Sequence, residues 1–443
     1  MLQLTLIDVL LVFIYAVILE ISMRFINRHI NKDNPLLSKY FMRGFRLKLF
    51  FGVLFGLFSI YILPGDTELY YTGGLDFKKI IFQDSNNLRF LISPAKEFGE
   101  FYEAGNFRQE NFGYVNSDGN LMAMKFVALF SMFSFNSYMV ISMFFSTFSF
   151  LGLWFMFKSF YRMYPKMVLV IFLCFFLIPS VLFWGSGVMK DTLCIGFLGI
   201  GFYNAFLFFV KKEYNLRLLL ALIISFYCLF LLKSYIAMAF GICFVFWLLL
   251  IRIASISNPI LKFTLPLIPF LLLMLYLSFG GVEKIMAEYS LEIMAENIQT
   301  SQKNYMLTTP DDGAYIDYGE ISATPAGVLR IIPKALVASL YRPFLWEAKK
   351  ITSLIAALEG TFFFCLTLYV FIRKGFLRSL KAIVNDNTIL FCFLFSIVFA
   401  TAIGLNCFNL GTLVRYKIPC LPFFVLSLLL ILNKQHAVSK ATP

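Results

Sequence analysis

The sequence predicts an all-α, polytopic transmembrane helical bundle of about eleven spans, and three observations carry that expectation. Of 443 residues, 60% are hydrophobic and only 14% charged, far from the roughly half-apolar, quarter-charged balance of soluble domains. The apolar residues come in runs of about 20, the length a helix needs to cross a hydrocarbon core about 30 Å thick. Lys and Arg gather in short stretches between these runs, the pattern of cytoplasmic loops. This composition excludes an ordinary soluble enzyme, a disordered chain, a collagen-like repeat and a disulfide scaffold. The net charge of +13 lies in the inter-span stretches. It forms no interleaved basic and aromatic surface, so no nucleic-acid partner is expected.

In chain order the expected spans fall near 4–23, 49–63, 137–156, 167–183, 192–210, 217–232, 235–251, 263–279, 352–372, 388–405 and 417–432. The first reads as a retained span, because Asp8 stands where a signal peptide has a basic region and no small-residue cleavage site follows. Arg24, Arg28, Lys32, Lys39, Arg43, Arg46 and Lys48 separate spans one and two. Alternate later loops carry Lys158, Arg162 and Lys166, then Lys211, Lys212 and Arg217, then Arg252 and Lys262, then Arg373, Lys374, Arg378 and Lys381. An odd span count puts all of them on one side, with the N-terminus outside and the C-terminus in the cytoplasm.

The whole chain reads as one integral membrane domain whose other face carries two long extracytoplasmic segments, 64–136 and 280–351, where acidic residues concentrate. The second opens with Val282, Ile285, Met286, Tyr289, Ile293 and Ile298 opposed by Glu288, Glu292 and Glu296, a helix suited to lying along the interface. Thr324-Pro325 then reads as an N-cap and first helical position, starting a helix that carries Leu329, Ile332, Leu336 and Leu340. Six of the eight cysteines lie in apolar runs as small hydrophobes, and no CxxC or zinc spacing occurs. Nothing in their spacing pairs Cys407 with Cys420 or keeps them apart. The two histidines, His29 and His436, both fall on the expected cytoplasmic side. Acid–base chemistry at the outer face is therefore left to carboxylates, Tyr or Lys.

Five places could carry chemistry. Gly65-Asp66-Thr67-Glu68-Leu69-Tyr70-Tyr71 sits where span two leaves the membrane. There Asp66 and Glu68 could supply a general base or hold a divalent cation such as magnesium or manganese, or could simply be a solvated helix end beside an aromatic belt. Phe183 to Asp191, FWGSGVMKD, is a glycine turn opening a helix with Lys190 beside free amides, either an anion site or a tight reversal. Lys233, between spans six and seven, either serves a ligand or snorkels. Arg342, in Tyr341-Arg342-Pro343-Phe344, offers a bidentate fork for phosphate. Arg415 and Lys417 fall at the outer face, where positive charge is sparse, and their presence asks for an anionic partner.

With these residues in place the chain resembles the GT-C superfamily of integral-membrane glycosyltransferases and the related polysaccharide polymerases. Residues 65–71 match the acidic cluster outside an early span. Arg415-Tyr416-Lys417-Ile418-Pro419-Cys420-Leu421-Pro422 matches the R-Y-x-x-P-x-x-P of the final span, and 183–191 is similar to a segment of polymer-assembling members. Two departures stand out: an extra span precedes the acidic loop, and the outer-face histidine of O-antigen ligases is missing. The resemblance implies a polyprenyl-phosphate-linked sugar donor and a glycan, lipid or protein acceptor. It also implies a bacterial inner-membrane location, with Asp66 as leading base and Lys190, Lys233, Arg342, Arg415 and Lys417 facing the lipid phosphate. Polymerisation of O-antigen or exopolysaccharide units is the related alternative. A lipid or solute transporter and a non-catalytic envelope-complex subunit are the rival classes, although no inverted repeat of broken helices supports a transporter.

Overall fold

A computed structural model of the protein describes residues 3–105, 107–254, 291–308, 315–322, 324–348 and 351–437. The expected span at 263–279, the amphipathic positions 282–289 and the chain beyond 437 lie outside the described residues. The regular elements among the described residues are all helices, with one isolated antiparallel bridge, Tyr315 with Asn409. Seven of these helices are long and apolar enough to cross a membrane, or eight if one bent pair counts as a span. The protein is a helical membrane bundle. Where the sequence reads as one domain, contacts divide the chain into two compact units, Met1–Met238 and Ala239–Pro443.

The first unit contains α1 (Leu6–Ile30), α2 (Pro35–Tyr61), α3 (Asp66–Gln83), α4 (Ala95–Ala104), α5 (Asp118–Ser131), α6 (Tyr138–Met163), α7 (Val168–Phe176), α8 (Pro179–Trp184), α9 (Lys190–Ala205) and most of the first part of α10 (Leu216–Ala254). Local chemistry starts the first two. Thr5 and Asp8 form a reciprocal capping box at α1, and Asn34 caps α2 ahead of Pro35 at the first helical position. Small residues then let the long helices approach. A Cβ added to Gly199 of α9 would lie 2.0 Å from the Gly152 carbonyl oxygen of α6. Across the α2–α6 contact, the Ser142 and Ser146 hydroxyls donate to the Gly52 and Lys48 carbonyls at 2.8 and 2.6 Å. Close backbone approach and interhelical hydroxyl bonds replace the hydrophobic drive that lipid cannot supply.

The ends of this unit differ in charge. At one end Lys158 reaches the Ile30 carbonyl (3.1 Å) and Arg162 meets Glu213 (3.6 Å), so the basic connections share a side, as the charge pattern requires. At the other, Ser137 donates to Asp8 at 2.6 Å, beside the helices of segment 64–136. Those helices enclose a small core of their own, built on Phe77, Ile80, Phe90, Phe98, Tyr102 and Met124. Lys39, Arg43, Arg46 and Lys48 depart from expectation: all four lie inside α2, not in a basic loop, and Lys48 is fully buried. The expected spans also redistribute. Pro179 breaks 167–183 into α7 and α8, since proline cannot supply the helix amide. The stretches 217–232 and 235–251 join as α10, where Lys233 alone leaves helical dihedrals (φ −154°, ψ 89°).

The second unit holds α11 (Leu291–Thr308), α12 (Pro325–Tyr341), α13 (Ile351–Lys374), α14 (Phe376–Val384), α15 (Asn387–Asn406), α16 (Leu410–Tyr416) and α17 (Leu421–Ala437). The α12 start is as expected: the Thr324 hydroxyl accepts from the Gly327 amide at 3.2 Å. Its buried face is so in part: Leu340 is buried and Ile332 and Leu336 half-buried, but Leu329 is exposed, and Ile331, Ala335, Ala338 and Ser339 turn inward. Small residues win that face because α15 presents Gly404 there, whose added Cβ would sit 2.3 Å from the Ala335 carbonyl oxygen. Residues 315–322 run beside α15, with the Ile316 amide bonded to the Phe408 carbonyl at 2.8 Å. The α16 helix and the first part of α17 form the bent pair, at 68°.

The glycine contact between α6 and α9 gives a direct test. Gly199→Leu should abolish a monodisperse detergent-purified protein or lower its thermal midpoint sharply. Gly241→Ala, at a position with nothing within 4 Å, should be tolerated. Fluorescence-detected size exclusion and a thermal melt read both, and equal behaviour of the two variants would remove the close-packing account.

Candidate functional site

The site grows from two turns of the first unit. After α2 ends, Gly65 takes a positive φ of 52°, a conformation glycine adopts without penalty, and α3 begins at Asp66. The Thr67 hydroxyl donates to the Val188 carbonyl at 2.9 Å, fastening the acidic turn to the Gly185–Met189 turn. One helical turn on, Tyr70 is buried with its ring 5.5 Å from Tyr114. Burial, followed by the neighbouring Tyr114 and the Asp66 charge, holds the Tyr70 phenol well above its usual pKa. Tyr70 is therefore a hydrogen-bond donor throughout the physiological range.

The second turn is buried from Gly185 to Met189. A Cβ on Gly187 would fall 1.8 Å from the Phe55 ring, so glycine is needed for close approach. Lys48 reaches in from α2 and donates to the Val181 carbonyl at 3.0 Å and to that of Gly185. Its ammonium thus meets the carbonyl end of α8, where the helix presents partial negative charge. This is a structural use of a basic residue that the sequence places in a solvated loop. It went unread because a lysine at the edge of an apolar run looks like a loop boundary.

Beyond that turn, α9 opens with the two charges. The Lys190 ammonium donates to Asn120 Oδ1 at 2.7 Å, which also faces the Tyr70 hydroxyl at 3.4 Å, while Asn120 Nδ2 donates to the Tyr114 carbonyl at 2.9 Å. Asp191 pairs with Lys233. Both are buried, at 2% and 7% exposure, so Lys233 does not snorkel. Gly119 completes the arrangement: its missing Cβ would lie 2.5 Å from the Leu232 carbonyl oxygen, which brings the start of α5 against the break at Lys233. Asp66, Asp191 and Lys233 all act electrostatically on Lys190. The structure thus assembles Asp66, Lys190 and Lys233 from three sequence-distant motifs and adds Asp191, Asn120 and Tyr70. Asp191 was visible only as a neighbour of Lys190, and Tyr70 only as an aromatic anchor. Asn120, in an unremarkable Asp-Gly-Asn helix start, carried no signal at all.

Glu68 is half-buried one position past Thr67. Among the described residues, no three His, Cys, Asp or Glu side chains group as a metal site. Cys407 and Cys420 are free thiols.

The remaining expected cations belong to the second unit, and two of them are committed internally. Arg342 turns its guanidinium fork onto Glu347, with Nε 3.1 Å from Oε2. Lys417 is 1% exposed and donates to the Arg342 carbonyl at 3.1 Å, with Glu359 of α13 acting on its charge. Together they fasten the 342–347 turn to the last helices. Arg415 is half-buried, its guanidinium carbon 5.4 Å from the Tyr416 ring centroid.

No family model, no curated protein and no solved structure matches the chain. The chemistry of these residues is therefore what a functional assignment rests on.

The buried pair has a measurable signature. Removing one partner strands a charge in the apolar interior, a loss of about 3–5 kcal/mol. Asp191→Ala and Lys233→Ala should each destabilise the detergent-solubilised protein strongly. The Asp191→Ala, Lys233→Met double variant should recover much of that loss, as a thermal or denaturant melt would read. Simple additivity of the two losses would show that the residues do not act as a pair.

Proposed function

We propose that the chain is an integral-membrane glycosyltransferase of GT-C type. It moves a sugar from a polyprenyl-phosphate-linked donor to a glycan, lipid or protein acceptor at the extracytoplasmic face of a bacterial inner membrane. What supports this is the fastening of the acidic turn to the turn before Lys190 through the Thr67–Val188 hydrogen bond, which brings the Asp66 charge to act on the Lys190 ammonium beside a buried ion pair. Asp66 takes the proton of an acceptor hydroxyl as the oxygen bonds to the anomeric carbon. The bond from that carbon to the lipid phosphate breaks, and its electron pair leaves with the phosphate. Lys190 meets the developing negative charge, and such stabilisation is strongest where water is scarce. Tyr70 and Asn120 orient the ammonium, while Asp191 and Lys233 hold the helix start that presents it. The final-span resemblance makes Arg415 a candidate for a bidentate grip on a phosphate. Glu68 orients the acceptor or assists a divalent cation. Repeated use of the same step on a growing chain would make the protein a polysaccharide polymerase.

The same proposal includes eleven spans with the N-terminus outside, which puts the acidic helices of 64–136 on the extracytoplasmic side. Within the first unit the separation of basic and acidic ends supports it. A transporter or lipid flippase draws support from a different observation. Lys48, Asp191, Lys233, Glu359 and Lys417 are all buried in the helical bundle, and buried charge often marks a translocation path.

Transfer assays separate the two. With a purified polyprenyl-linked donor, Asp66→Asn should abolish product while expression is unchanged, because an amide cannot accept the proton. Glu68→Gln should lose less. Lys190→Ala should lower turnover by about ten- to a hundredfold, the scale of one charge-assisted hydrogen bond. Full transfer by Asp66→Asn, or vesicle uptake without any transfer, would favour the transporter. Sidedness has its own check in spheroplasts. A cysteine introduced at exposed Glu100 should react with an impermeant maleimide and one at Lys212 should not, and the reverse pattern would invert the topology.

A further inference from the structure

The helix α5 and its connection to α6 sit deeper than a soluble loop would. Phe130 packs against Phe144 at 5.5 Å, and Phe126 packs against Phe148 and Phe197 at 5.9 and 5.6 Å. Phe144 and Phe148 lie six and ten residues inside the spanning helix α6, about 9 and 15 Å along its axis. The Tyr15 hydroxyl, nine residues inside α1, donates to the Phe133 carbonyl. Yet α5 has only 14 residues, about 21 Å, too short to cross the hydrocarbon.

Its outward side is apolar. Leu129, Met132, Phe133 and Phe135 are 46%, 47%, 63% and 79% exposed. No charged residue occurs between Lys125 and Lys158. At its tyrosine-bonded turn the strip adjoins α1, whose Leu6, Ile7, Leu10, Phe13 and Ile14 are exposed on a helix able to span a membrane. Several backbone groups of the connection find internal partners, as a lipid setting demands. Tyr15 takes the Phe133 carbonyl, Tyr71 donates to the Asn136 carbonyl at 2.6 Å, and the amides of Met132, Phe133 and Ser137 bond to carbonyls three residues back.

We infer that α5 and residues 132–137 form a non-spanning helix sunk into one leaflet, and that lipid acyl chains cover Leu129, Met132, Phe133 and Phe135. The partner is the bilayer itself. Charge meets this segment only at its margins: the Lys125 ammonium turns to the Leu91 carbonyl at 3.0 Å, the Lys78 ammonium to Asn136 Oδ1, and Ser137 donates to Asp8 at 2.6 Å. Asn120, which holds the Lys190 ammonium, lies at the other end of this same helix.

Depth is measurable without reference to any activity. Nitroxide labels are placed in lipid nanodiscs through Leu129→Cys, Phe133→Cys and, as the aqueous reference, exposed Glu100→Cys, each with Cys365→Ser to remove the exposed native thiol. At 129 and 133, collision with oxygen should exceed collision with a water-soluble nickel chelate several-fold, and at 100 the ratio should invert. As a second measurement, a photoreactive benzoylphenylalanine at position 133 should form adducts with the mass of a phospholipid. Nickel accessibility at 129 and 133 equal to that at 100 would overturn the inference. So would adducts to another protein, which would make the strip a protein-docking face.

Discussion

Charge inside an apolar bundle must be matched at short range, because a medium of low dielectric neither solvates nor screens it. Most of what is specific about this protein follows from how it meets that demand. Asp191 and Lys233 neutralise each other where α9 begins and α10 breaks. Lys48 is met by the carbonyls at the end of α8. Lys417 is met by the Arg342 carbonyl and by the field of Glu359. In each case the charge fixes a point where a helix has stopped or turned, so the matching of charge and the interruption of secondary structure are one event.

Glycine supplies the other half of that arrangement. Gly119, Gly185 and Gly187 stand where a side chain would strike a carbonyl, a neighbouring ring or the Lys48 ammonium. The absence of a Cβ is what lets the turn before α9, the break in α10 and the start of α5 approach closely. Lys190 emerges there held by a neutral amide, within the field of Asp66. A cation restrained by an uncharged partner keeps its charge available for an incoming anion, whereas Arg342 spends its fork on Glu347.

Segment 64–136 also has more order than its position between spans implies. It closes a core of its own around Phe77, Phe90 and Phe98 while sending α5 down against α6 and α9. Its polar helix start and its apolar helix end therefore serve different surroundings, a recess at Asn120 and a lipid-like face at Phe133. The second unit uses a different economy of packing, small residues of α12 laid on Gly404 of α15.

The amino-acid sequence alone determined the helical, membrane-crossing class, because runs of apolar residues and the loops between them are local quantities that need no partner. It also determined the cap at Thr324 and the glycine turn at 185–187, which depend on neighbours within a few residues. Candidate charges were legible as charges: Asp66, Lys190 and Lys233 are visible as polar residues beside apolar runs. What they face was not. The pairing of Lys233 with Asp191, the inward turn of Lys48 and Lys417, and the commitment of Arg342 to Glu347 rest on side chains meeting in space. Asn120 became part of the site only because α5 folds back across Leu232. The buried face of α12 shifted for the same reason, since a glycine on α15 decided which residues could approach. Hydrophobic periodicity records how a segment meets its solvent, and only the tertiary structure decides which charges meet each other.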